Sequence, residues 1–161
     1  MSLDRAAVVR RYKQLLVEMG LPAKDVVLNA GAALVLLGLR KYANDIDVSV
    51  PEAFFNQQRL RKGTLNGLTG PMVAWDGLVD IYPLPTHFTE AHVMDHLGVW
   101  VFHPNALIKQ KRRTAKHKDR DPMKAAQDRA DIVKLKEFMD NVTHAKTQLD
   151  KAGVTLLATK V

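Results

Sequence analysis

Residues 29–50 read Asn-Ala-Gly-Ala-Ala-Leu-Val-Leu-Leu-Gly-Leu-Arg-Lys-Tyr-Ala-Asn-Asp-Ile-Asp-Val-Ser-Val, and the closing run from Asp45 to Val50 decides how the rest is read. Side chains alternate along a strand, so Asp45 and Asp47 share one face while Ile46 and Val48 enter a core. Carboxylates held side by side repel. The repulsion is relieved by a shared hard cation bound through oxygen, or by one group staying protonated. Asp-x-Asp also occurs at strand ends simply because aspartate suits turns and solvent, so the flanking residues must carry the distinction.

Upstream, Asp25 to Asn29 has the β-branched character of a strand, and Gly31 stands where a strand would turn into a helix. Ala32 to Leu39 is an apolar, Ala/Leu-rich run expected to form a mostly buried helix, closing near Gly38 and the basic pair Arg40 and Lys41. The unit is strand, glycine turn, helix, acidic strand. The N–H groups at such a helix start are suited to a phosphate, and a glycine lets it approach the backbone closely.

Two further segments extend the pattern. Leu78-Val79-Asp80-Ile81-Tyr82, bounded by Gly77 and Pro83, reads as a short half-buried strand carrying a third carboxylate. Asp76 competes for that role, but Trp75-Asp76-Gly77 reads as a hairpin turn and ranks below Asp80. Pro104 to Arg113 and Lys124 to Leu135 read as two helices around a basic connector, with Lys109, Lys111, Arg112, Arg113, Lys116, Lys118 and Arg120 in the run. Ile132, Leu135, Phe138 and Met139 keep helical spacing and predict one buried face, leaving Lys134, Lys136 and Glu137 wet.

Taken in order, these motifs resemble the nucleotidyltransferase superfamily typified by DNA polymerase beta. The family pattern is a hydrophobic residue, Gly, and Gly or Ser, followed after a helix by Asp-hydrophobic-Asp-hydrophobic, with a third carboxylate on a neighbouring strand. Here Gly31 and Ala32 take the glycine positions and Asp45, Asp47 and Asp80 the acidic ones; Ala32 departs from the family's Gly or Ser. The second block is similar to the Leu-Ile-x-x-Lys and Asp-x-x-Asp-Ile-x-x-Leu ending of minimal nucleotidyltransferases and of abortive-infection toxin domains. Lys111, Asp128 and Asp131 stand at its charged positions. The resemblance spans residues 25–135 and leaves Phe54 to Val73 unmatched.

The resemblance implies an α/β (α+β) fold, a small mixed sheet flanked by helices with a helical C-terminal part. It implies transfer of a nucleoside monophosphate from a nucleoside triphosphate to an acceptor hydroxyl, on RNA or protein rather than a small molecule. Two Mg2+ ions, or Mn2+ in their place, would be held by Asp45, Asp47 and Asp80, with Asp80 on the acceptor side helping to deprotonate the hydroxyl. Gly31, Ala32 and the following helix start would hold the β and γ phosphates, with Lys111 and Arg40 as cationic support. Asp128 or Asp131 would bind base or ribose, or anchor Lys111. The rival from another class is a module that keeps the fold without turnover and binds nucleic acid or protein, such as a toxin-antitoxin component.

Composition bounds these readings. The chain has 161 residues, 47% of them apolar, enough for one core and one domain: a nucleotidyltransferase-like core over about residues 24–104, C-terminal helices over about 104–140, and a tail over 141–161. A formal net charge of +7 favours polyanionic partners, either nucleotide phosphates or a nucleic acid. With no cysteine there are no disulfides and no thiolate metal sites. No signal-like N-terminus and no run of membrane-spanning length is present, so a cytoplasmic protein with no membrane partner is expected. The sequence carries no signal for oligomeric state.

The remaining organisation is a leading helix over Asp4 to Met19 and a helix from Pro51 to about Leu60. A loop or hairpin through Gly63–Pro71 leads to a strand near Met72 to Trp75. A short helix is expected around Thr89 to His96, then a central strand at Val99 to Phe102. On that short helix His92 and His96 would stand at i, i+4, a spacing that can present two imidazoles to zinc, although surface or core histidines account for them more simply. An apolar cluster at Val154 to Ala158 is expected to dock as a strand or an oligomer contact.

Overall fold

In the computed structural model, which describes residues 2–68, 70–89 and 92–153, the chain starts with α1 (Arg5–Met19). A short 3-10 turn at Ala23–Asp25 leads to β1 (Val27–Asn29), α2 (Ala30–Leu36), β2 (Ile46–Val50) and α3 (Glu52–Lys62). Then come the hairpin β3 (Leu65–Gly67) and β4 (Gly70–Ala74), β5 (Val79–Pro83), the hairpin β6 (Val93–His96) and β7 (Val99–Phe102), α4 (Pro104–Lys116) and α5 (Pro122–Lys151). The strands form one sheet in the order β3-β4-β5-β2-β1-β7-β6. It is mixed: β2 runs parallel to β5 and β1 parallel to β7, while the other neighbours are antiparallel. The architecture is α+β.

Register explains how this sheet separates a core from a site. Val73, Ile81, Val48, Leu28 and Val101 lie opposite one another across five strands, and all five are fully buried. The next row, one residue along and therefore on the other face, is Ala74, Asp80, Asp47 and Asn29, none of them fully buried. Alternation thus gives one face to packing and turns the carboxylates to the other.

Capping and turn chemistry set the connections. Asp4 caps α1 by accepting from Ala7 N at 2.9 Å, and Gly20 closes the helix with φ +66°, a left-handed conformation that costs glycine nothing. Gly38, with φ +78°, ends α2 in the same way, near where the sequence predicts it. Leu3 exchanges backbone hydrogen bonds with Ala43 at 2.7 and 2.9 Å, pinning the connection that delivers Asp45 to β2. Asp76 accepts from Leu78 N at 2.7 Å and Val79 N at 2.8 Å, and pairs with Arg11 at 2.6 Å; it is the turn residue expected, outside the acidic cluster.

Three expectations are corrected. The helix expected around Thr89–His96 is replaced by β6 over Val93–His96, because Leu97 and Gly98, with φ +57° and +81°, make a two-residue hairpin turn whose twist matches the flanking strands. Gly98 N donates to Asp95 Oδ1 at 3.0 Å across that turn. With no helix there, His92 and His96 are not one turn apart. The strand expected from Asp25 begins only at Val27, since Asp25 N bonds back to Pro22 O in the 3-10 turn. The helical part continues to Lys151 instead of ending near residue 140; the expected cluster at Val154–Ala158 lies outside the described residues. Among the described residues no helix is long and apolar enough to cross a membrane.

Candidate metal centre and its cleft

Asp47 and Asp80 are register partners on the parallel pair β2 and β5, and Asp45 stands in the bend one residue before β2, whereas the sequence places it on the strand itself. One carboxylate oxygen from each of the three comes within 4.8 Å of the others. Asp45 is exposed and the other two are half-buried, so the cluster opens to solvent on one side. Three oxygen donors, two on paired strands and one on the bend that enters β2, suit a hard divalent cation such as Mg2+ or Mn2+.

The electrostatics follow from burial and crowding. Burial, with Asp45 and Asp80 adding to it and Lys111 opposing, pushes the Asp47 carboxyl up to about 7. Asp80 is also raised, by burial first and then by Asp45 and Asp76. Tyr82, two residues beyond Asp80, has its phenol held well above the ordinary range by burial and by Asp47, Asp80 and Asp45. A carboxyl raised in this way marks an environment that holds a proton when nothing else neutralises it.

Asp47 borders a cleft of about 200 Å³. One wall comes from Gln110, Lys111 and Thr114 of α4 and from Arg120; the β1–α2 corner contributes Asn29 and Ala30; Tyr82 and Leu68 complete the lining. Ala30 has φ +51°, a conformation L residues rarely adopt, so the backbone strain sits on Ala30 and not on Gly31. Gly31 serves a different need: a Cβ there would stand 2.6 Å from Nη1 of Arg40. Ala32 is 1% exposed and packs in the core, so its methyl group is turned away from the cleft.

Behind the α4 wall lies a buried ion network. Asp128 and Asp131, three residues apart on α5, are each 1% exposed. Lys111 Nζ bonds Asp128 at 3.3 Å and Asp131 at 3.0 Å. Arg120 donates twice to Asp128, both at 2.9 Å, and Thr114 Oγ1 donates to it at 2.9 Å. Arg40 donates to Asp131 at 2.8 Å and Gln127 Nε2 at 2.9 Å. Burial pushes Asp128 up, but the Arg120 and Thr114 hydrogen bonds and the Lys111 charge outweigh it and hold the carboxyl below its usual value.

Of the residues singled out from sequence, Asp45, Asp47 and Asp80 come together, and Lys111 lines the same cleft as Asp47. Arg40, Lys111, Asp128 and Asp131 meet in one network, where the two aspartates are engaged by protein cations. Gln110, Thr114, Tyr82 and Asn29 were given no role from sequence. Tyr82 had a legible signal, since i+2 from Asp80 on a strand is the same face. Arg120 lies in a loop and offered only its charge. Comparison of the chain with protein-family models, curated proteins and solved structures yields no match.

Two outcomes follow from this geometry. Asp128→Asn leaves Lys111 and Arg120 without their shared anion, and we expect a loss of about 3 kcal/mol in urea unfolding; a loss below about 1 kcal/mol would place little weight on the network. Asp47, raised in the fold from an unfolded value near 4, contributes stability that is present below about pH 4 and lost as pH rises through about 7. A divalent cation reverses this by replacing the proton, so the rise in Tm given by Mn2+ should be larger at about pH 8 than at about pH 5.5. A rise equal at both, or absent at the higher pH, contradicts the site.

Proposed function

We propose that the chain is a metal-dependent nucleotidyltransferase, moving a nucleoside monophosphate from a nucleoside triphosphate to an acceptor hydroxyl on RNA or protein. The observation that carries this reading is the convergence of Asp45, Asp47 and Asp80 at the edge of a cleft walled by Lys111 and Arg120. The motif resemblance supports it. Fold alone does not fix a substrate, so the proposal rests on the site.

Charge balance gives the order of events. The acidic cluster and the ion network together hold five aspartates against Arg40, Lys111 and Arg120, a formal −2 within a chain of net +7. A triphosphate would be repelled from this locality until cations are bound. Asp45, Asp47 and Asp80 are the residues that would hold divalent ions, which would supply the neutralisation and alignment that phosphoryl chemistry requires.

The chain's own groups then act on either side. Lys111, held by Asp128 and Asp131, presents a fixed positive charge toward the triphosphate. Asp80, raised and partly open to solvent, accepts the proton of the attacking hydroxyl. A bond forms from that oxygen to the α phosphorus, the bond to the bridging oxygen breaks, and pyrophosphate leaves. The cytoplasm supplies the triphosphate and Mg2+.

Asp45→Asn and Asp47→Asn should each abolish transfer of label from α-labelled triphosphates into RNA or protein of a cell extract, with far-UV circular dichroism unchanged. Turnover retained in the folded double variant would remove the assignment. Mg2+-dependent binding of triphosphate without any transfer by the wild-type chain would instead favour a binding module, the reading that the chain's formal net charge of +7 supports.

A further inference from the structure

The cleft is chemically two-sided. Lys111, Thr114 and Arg120, from α4 and the loop after it, give a polar and cationic lining, whereas Tyr82 of β5 and Leu68 beyond β3 give an aromatic and aliphatic one, and Asp47 borders the same cleft. A triphosphate accounts for the first side and has no use for the second.

The apolar side is built by the edge of the sheet. Tyr82 continues β5 beyond Asp80 on the same face, and its hydroxyl reaches Met72 Sδ on β4 at 3.4 Å. Leu68 follows β3 at the hairpin and stays 38% exposed beside the cleft. Gly67 keeps the hairpin tight: a Cβ there would come within 2.9 Å of Gly70 O and 3.6 Å of the Tyr82 ring. The hairpin therefore brings Leu68 to the cleft that the Tyr82 ring lines.

We propose that Tyr82 and Leu68 form the nucleobase wall of the cleft, packing against the aromatic ring of the nucleotide while the phosphates lie toward Lys111 and Arg120. This rests on the nucleotidyltransferase reading and extends it, naming the residues that hold the part of the donor remote from the phosphates. A wall of one phenol ring and one aliphatic side chain reads the π-face of a base more than its hydrogen-bonding edge, so all four triphosphates should be accepted with similar affinity.

The test is titration calorimetry of the 161-residue chain with Mg2+, using ATP, GTP, CTP and UTP and, separately, inorganic tripolyphosphate. Tyr82→Ala and Leu68→Ser should each weaken nucleotide binding about tenfold and leave tripolyphosphate binding unchanged, and Tyr82→Phe should bind as the wild type does. Leu68 is partly exposed, so Leu68→Ser reports even if Tyr82→Ala fails to fold. Equal loss of nucleotide and tripolyphosphate, or no loss of nucleotide in Leu68→Ser, overturns the wall. Wild-type binding that is no tighter for nucleotides than for tripolyphosphate overturns it while sparing the phosphate site. If neither probe binds the wild type, the nucleotidyltransferase reading itself has failed and the wall with it.

Discussion

The parallel register of β2 and β5 holds Asp47 beside Asp80, and Asp45, one residue before β2 begins, brings a third carboxylate to them. Relief by slippage is closed off. Moving β2 by one residue would bring Ile46 and Val48 out of a core in which both are fully buried. Burying each such side chain is worth roughly 1.5–3 kcal/mol. Two carboxylates about 4 Å apart at a wet surface repel by about 1–4 kcal/mol, depending on the effective dielectric. The core therefore outweighs the repulsion, and the charge cluster persists as a consequence of packing on the opposite face.

The second constraint is the ion network beneath α4 and α5. Lys111 meets two carboxylates that are themselves satisfied by Arg40, Arg120, Thr114 and Gln127. Among the described residues no buried side-chain nitrogen or oxygen lacks a partner. Such networks contribute less to stability than to geometry, because desolvation offsets much of the attraction. Here the geometry matters: Arg40 sits five residues before Asp45, so the pair with Asp131 ties the strand that carries the acidic cluster to the helices that carry the cationic wall.

The acidic strands were legible because alternation is a local property; Asp45, Asp47, Ile46 and Val48 sort themselves between two faces without knowledge of any neighbour. The pairing of β2 with β5, and so the approach of Asp80, could only be expected through the resemblance, since long-range register leaves no mark in a short strand. The Thr89–His96 segment misled because Leu97-Gly98 is not among the common hairpin dipeptides; the glycine's turn conformation, and leucine's tolerance of φ +57° beside it, emerge only with β7 in place. Gly31 was read for its position at a strand-to-helix turn, whereas the left-handed backbone falls on Ala30 and the missing Cβ of Gly31 admits Arg40, a residue brought there by folding. The burial of Asp128 and Asp131 was equally hidden, as two aspartates on a basic helix ordinarily face water.

Anomalous diffraction from crystals of the 161-residue chain grown with Mn2+ and a non-hydrolysable triphosphate tests the central claim most directly. Two manganese peaks about 3.5–4 Å apart, ligated by the carboxylates of Asp45, Asp47 and Asp80 and by phosphate oxygens, are the predicted result. Manganese bound elsewhere, or triphosphate seated away from these three carboxylates, would contradict it.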